Sequence, residues 1–140
     1  MSAEPGLLDT STVILLGRVA NADDLPEDCL ISAVTLAELA VGPLVATSDL
    51  ERAARQSHLQ QAEADFEVVP FDAAAARAFG IVAAALRATG RKPAARAYDA
   101  LIAATAVANS LPLFTCNPAD FAGIEALDLR RVSVSALPEQ

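Results

Sequence analysis

The sequence has no tryptophan, one histidine and one lysine, and aromatic residues fill only 4% of its 140 positions. Without large rings, a core has to be built from the aliphatic residues and alanines that lift the hydrophobic fraction to 54%. That composition suits helices packed closely on a small sheet. No apolar run reaches the roughly 18 residues of a membrane span. The opening MSAEPG lacks the basic and then apolar pattern of a secretory signal, so a cytoplasmic protein is expected. Cys29 and Cys116 stand far apart in apolar surroundings, which reads as two buried thiols and neither a disulfide framework nor a metal knuckle. The single histidine, His58 in the polar RQSHLQQ, argues against zinc and is assigned to the surface. The length fits one domain over 1–140 with a short flexible tail from about 136.

Basic residues are scarce too. The formal net charge of -8 excludes a protein that coats nucleic acid by charge alone. Five of the ten basic residues (Arg77, Arg87, Arg91, Lys92 and Arg96) nevertheless fall within 73–98, a segment with no acid. By itself such a cluster reads as a solvated helix and loop face.

What is present is an alternation of short apolar runs with longer helical patterns. Strands are expected at 6–9, 29–32, 66–71, 111–115 and 130–134. Helices are expected at 10–17, 34–42, 48–65, 73–90 and 96–110, with a further short helix between the last two strands. Ser48 and Glu51 have capping-box spacing, and Gly42, Gly80 and Gly90 are candidates for helix stops or close approach. Alternation of this kind favours a mostly parallel sheet with helices on both faces. Ligands gather outside the carboxyl ends of the strands in such sheets. Asp9, Ser32 and Thr115 fall at those ends.

Acids are plentiful, eighteen in all, yet three apolar windows hold one each and no base. Asp9 is the sole charge from Pro5 to Gly17, Glu38 from Cys29 to Ser48, and Asp99 from Ala97 to Ala119. A carboxylate removed from water without a partner costs several kcal/mol, so it shifts its pKa, stays exposed or finds a cation. Asp9 before TST also suits an N-cap, and Asp99 suits the first turn of a helix. Glu38, inside VTLAELAVG, gains neither. Three acids meeting at one sheet edge repel one another, and all-oxygen ligation by them points to a hard ion, Mg²⁺ or Mn²⁺.

The segments LLDTSTVILL (7–16), ISAVTLAELAVG (31–42), YDALIAATAVANSLPLFTCNPADF (98–121) and LRRVSV resemble PIN-domain proteins, and among them the VapC toxins of VapBC toxin–antitoxin modules. The resemblance runs in order over nearly the whole chain. It implies an α/β/α three-layer domain around a mostly parallel five-stranded sheet, and a Mg²⁺- or Mn²⁺-dependent endoribonuclease that hydrolyses RNA phosphodiester bonds. Asp9, Glu38 and Asp99 match the family's acidic ligands. Asp120 is carried as the fourth acid and Asn117 as its polar partner. Thr10, Ser11 and Thr115 would hydrogen-bond a ligand, water or phosphate, or serve as turn and cap residues. Arg87, Arg91, Lys92 and Arg96 would guide the RNA strand.

Two other readings compete. One is a catalytically weak PIN-like binding module, for which Asn117 in place of an acid speaks. The other is a different acidic-site phosphotransfer enzyme. A dehalogenase-type phosphatase wants a second aspartate at position 11, which is Ser, and a receiver domain wants a lysine near the late strands, where only Lys92 is available. On the partner side, Leu36, Leu39, Val41, Leu44, Val45 and Leu50 in 33–64 offer apolar surface. The resemblance implies a homodimer and a small VapB-like antitoxin that covers this region, with DNA reached only through the antitoxin.

Overall fold

The computed structural model describes residues 2–90 and 96–135. Five strands form one sheet: β1 (Ser2–Leu8), β2 (Pro26–Ser32), β3 (Glu67–Val69), β4 (Leu113–Thr115) and β5 (Leu129–Arg131). Their order across the sheet is β3-β2-β1-β4-β5, and every pairing is parallel. Helices α1 (Thr10–Ile14), α2 (Ala33–Val41), α3 (Asp49–Asp65), α4 (Ala73–Ala88) and α5 (Ala97–Ala108) connect them. This is the α/β/α arrangement that the alternation of patterns implied. The expected tail from 136 lies outside the described residues, as do Arg91 and Lys92.

The period-2 alternation of each strand sorts the core into two layers. Leu7, Leu30 and Leu113 point to one face, where Ala78, Val82 and Leu86 of α4 and Ala100, Ile102, Ala103 and Ala106 of α5 cover them. Leu8, Ile31 and Phe114, one residue further along, point to the other. There they meet Val13 of α1, Leu39 of α2 and Ala62 of α3. The scarcity of rings is met by alanine: small side chains on α4 and α5 let the two helices lie close together on the sheet.

Three local features differ from the sequence pattern. Helix α1 stops at Ile14, and the chain turns into a 3-10 turn over Leu16–Arg18, where a longer helix was expected. Gly42 does end α2, with Arg55 3.3 Å from where a Cβ would stand, but by no left-handed turn; it keeps right-handed helical angles and leads into another 3-10 turn, Gly42–Val45. Gly80 sits inside α4 with open space where a Cβ would be, so no close neighbour requires it. Gly90 does meet its expectation, at φ +83° just past the helix end.

β1 lies at the centre, and the chain runs outward from it twice, first to β2 and β3, then to β4 and β5. The reversal puts a crevice between the carboxyl ends of β1 and β4. Among the described residues no helix is long and apolar enough to cross a membrane.

Candidate active site

Asp9 follows the last residue of β1 and is only 4% exposed. It is both things the sequence allowed, because it caps α1 and holds a place at the strand edge. Its Oδ1 accepts from the backbone N–H of Thr12 at 3.0 Å and from Thr12 Oγ1 at 2.5 Å. Its Oδ2 accepts from Thr115 Oγ1 at 2.6 Å, and Ser11 Oγ lies 3.1 Å from the same oxygen. A buried carboxylate with this many donors stays fixed in one orientation.

The donors are themselves held. Thr12 Oγ1 accepts from the backbone N–H of Cys116 at 3.1 Å, and Thr115 Oγ1 accepts from that of Asn117 at 2.9 Å. Asn117 Nδ2 donates to Ser11 Oγ at 3.3 Å. Asn117 therefore reaches Asp9 through Ser11. Thr12 was not singled out in the sequence. Its signal is its position three residues after an N-cap acid, on the face of α1 turned to the sheet.

Glu38 projects from α2, whose N-terminus is capped by Ser32 at the end of β2 through the Thr35 N–H. Thr10 Oγ1 donates to Glu38 Oε1 at 2.7 Å and lies 3.0 Å from Thr35 Oγ1. Burial pushes the Glu38 carboxyl above its ordinary range; the Thr10 hydrogen bond opposes this and the charge of Asp9 adds to it.

Asp99 lies in the first turn of α5. Its carboxyl is pushed up to about 6, chiefly by burial and then by the charges of Asp120, Asp9 and Glu38, with Arg96 pulling the other way. Asp120 comes from a 3-10 turn, Pro118–Phe121, anchored by the buried ring of Phe121. Arg96 Nη1 lies 3.0 Å from Asp120 Oδ1 and 3.8 Å from Asp99 Oδ2. Asp99 thus feels the charge of each of the other three acids singled out in the sequence. Of the expected basic guides, Arg96 turns to the acids and Arg87 is exposed in the last turn of α4.

The donor set is all oxygen, and burial also pushes the Cys116 thiol up, away from a thiolate ligand. These residues fit a hard divalent cation by chemistry and by charge, four carboxylates against the guanidinium of Arg96. Among the described residues, no three acid, histidine or cysteine side chains are already gathered as a closed cage.

A cavity of about 250 Å³ opens beside Glu38 and Thr10, lined also by Ile14, Leu39, Arg55 and His58. A second, of about 440 Å³, continues past Ile14 and His58 to Asp65 and Phe66. His58, assigned to a polar surface, in fact borders the groove next to the acids. Helical spacing on α3 turns His58 and Arg55 toward α2, and the polar neighbours in sequence hid that.

A PIN domain model matches residues 7–127. Ribonuclease VapC5 of Mycobacterium tuberculosis is 38% identical over 129 residues, covering 89% of this chain and 93% of that protein. Ribonuclease VapC8 of the same organism is 36% identical over 101 residues, covering 72% of this chain and 89% of its own. Among solved structures, a VapBC-family toxin–antitoxin member from Mycobacterium tuberculosis, VapBC-5, aligns with a TM-score of 0.77 at 34% identity. The alignment covers 93% of this chain and 98% of that one.

Proposed function

The chain belongs to the PIN-domain family, and we propose that it is the toxin of a VapBC-type pair, a Mg²⁺- or Mn²⁺-dependent endoribonuclease. The observation that carries this reading is the gathering of Asp120, Asp9 and Glu38 near a half-buried Asp99 at the carboxyl edge of the sheet, where burial first and the three neighbouring charges second push Asp99 up to about 6. Perturbed acids in a cleft mark sites where charge is arranged for chemistry. Relatives named as ribonucleases support the substrate class.

Asp9, Glu38, Asp99 and Asp120 would hold the cation. The chemistry such an ion supplies is activation of a water and neutralisation of charge on a backbone phosphate. The chain's own residues set the frame. Thr12, Thr115 and Ser11 pin both oxygens of Asp9, Thr10 orients Glu38, and Asn117 steadies Ser11. With water as nucleophile, the products carry a 5′-phosphate and a 3′-hydroxyl. Arg87, Arg91 and Lys92 would guide the strand once it is near, whereas Arg96, the fourth expected guide, faces the acids.

Two partners belong to the same reading. The exposed side chains Val41, Leu44, Val45 and Leu50, where α2 turns into α3, would lie against a second copy of the chain. A VapB-like antitoxin would occupy the groove past His58 toward the acids, with promoter DNA contacted through the antitoxin. The chain is taken as one domain.

The test is cleavage of structured RNA by the purified protein with Mg²⁺ or Mn²⁺, with EDTA as control. Asp99→Asn is expected to abolish metal-dependent cleavage and keep the fold. Cleavage by that variant at the wild-type rate would remove Asp99 from the site.

A further inference from the structure

Arg96 occupies the N-cap position of α5, yet its side chain makes no capping hydrogen bond. It turns inward to the acids, with Nη1 3.0 Å from Asp120 and 3.8 Å from Asp99. Among the described residues it is the one basic side chain in an ion pair with any of the four acids. A guanidinium keeps its charge at every pH at which a protein stays folded. While it stays there, it offsets one of the pair's two negative charges at any such pH.

The same contact is also weakly held. The Arg96 side chain is 47% exposed, and an ion pair open to water gains little from its Coulomb attraction. The side chain is half exposed and is not part of the core, so the guanidinium can swing into solvent without unpacking it.

We propose that Arg96 is a resident counter-ion of the acid cluster, seated between Asp99 and Asp120 where a divalent cation would sit, and that it must leave before the pair can hold one. The proposal rests on the reading of these acids as a cation site. It makes cation binding an exchange, in which a tethered single charge is replaced by a free double one. Cation concentration then sets how much of the protein is loaded. If the arginine-paired form is about nine-tenths of the population, the apparent affinity is lowered about tenfold, because affinity scales with the competent fraction.

The experiment is calorimetric titration of Mn²⁺ into the full chain as wild type, Arg96→Ala and Arg96→Gln, with no RNA present. Both variants are expected to bind Mn²⁺ about tenfold more tightly. The glutamine variant keeps most of the side chain's length should alanine disturb the start of α5. A parallel Mg²⁺ titration follows the Arg96 Nε–H signal by NMR. Its NOEs to the Asp99 and Asp120 side-chain protons are expected to vanish with the same midpoint as binding, which distinguishes departure of the side chain from a mere change in local potential.

Equal or weaker Mn²⁺ affinity in the variants overturns the proposal and leaves the cation site standing. Arg96 NOEs to these acids that persist while Mg²⁺ binds overturn it in the same way. Absence of Mn²⁺ binding in all three proteins overturns both the proposal and the cation site on which it rests.

Discussion

Thr115 Oγ1 donates to Asp9 Oδ2 across 2.6 Å, joining the carboxyl ends of β4 and β1 in a buried contact. The strands beneath are in parallel register, Leu8 opposite Phe114. One hydrogen bond thus closes the crevice at the reversal of strand order and fixes a carboxylate in it. Thr115→Val keeps the shape and removes the hydroxyl, leaving Asp9 Oδ2 with Ser11 as its remaining donor and the Asn117 N–H without its acceptor. A buried polar group left without its partner costs about 1–3 kcal/mol. Urea unfolding should show a loss in that range, with RNA cleavage reduced as well. Thr12→Val is expected to cost about as much, because its hydroxyl, like that of Thr115, both donates to Asp9 and accepts from a backbone N–H, here that of Cys116.

Asp99 makes an opposite case. Its carboxyl has an ordinary value of 3.8 in the open chain and about 6 in the folded one. Between these values the folded state holds the proton that the unfolded state has released. Stability of the metal-free protein should therefore fall as pH rises from about 4 to about 6, then stay level with respect to this group. Asp99→Asn removes that slope and should raise stability at neutral pH in EDTA, even as it abolishes cleavage. Thermal melts of both proteins across this pH range check the sign; a wild type whose stability does not decline over the window contradicts it.

Much of this architecture was legible because it rests on local rules. The short continuous apolar runs in LLD and CLIS mark strands buried on both faces, and Asp9 and Ser32 stand at their carboxyl ends, where helices follow. The lone charge in each apolar window pointed to Asp9, Glu38 and Asp99 for the same reason that burial of a carboxylate is costly. What could not be read were relationships between distant segments. Arg96 looked like part of a basic surface, and only the packing of α5 beside the Pro118–Phe121 turn puts it against Asp120. His58 looked solvated because its neighbours in sequence are polar, whereas the facing helix decides what a groove contains. Gly42 shows the limit of local rules themselves, since Pro43 behind it favours a 3-10 turn over a left-handed stop.

Two glycines separate packing from backbone entropy. A Cβ on Gly6 would overlap the Phe114 ring and come within 2.9 Å of Pro26 Cγ, both fixed by the sheet. Gly6→Ala should therefore destabilise by about 1–3 kcal/mol, the usual cost of overpacking a core. Gly80 faces open space in the middle of α4. Gly80→Ala should stabilise by about 0.5–1 kcal/mol, since alanine loses less freedom than glycine on entering a helix. Urea midpoints of the two variants, one below and one above wild type, are the measurement.

Leu44 and Leu50 are each 84% exposed, a level that leaves their side chains almost entirely in water. They flank the short link between α2 and α3, together with the exposed Val41 and Val45. Leu39, in the same stretch, is buried in the core, so the exposed set is not the underside of a helix that slipped from the sheet. Transfer of such side chains from water is worth about 1.5–3 kcal/mol each, which makes them a natural contact for a second copy of the chain. Replacing both with glutamate should leave the monomer's unfolding midpoint nearly unchanged, because neither packs in the core. It should halve the mass seen by light scattering at concentrations where the wild type is dimeric. A wild type that is already monomeric at high concentration, or a double variant that remains dimeric, would place the contact elsewhere.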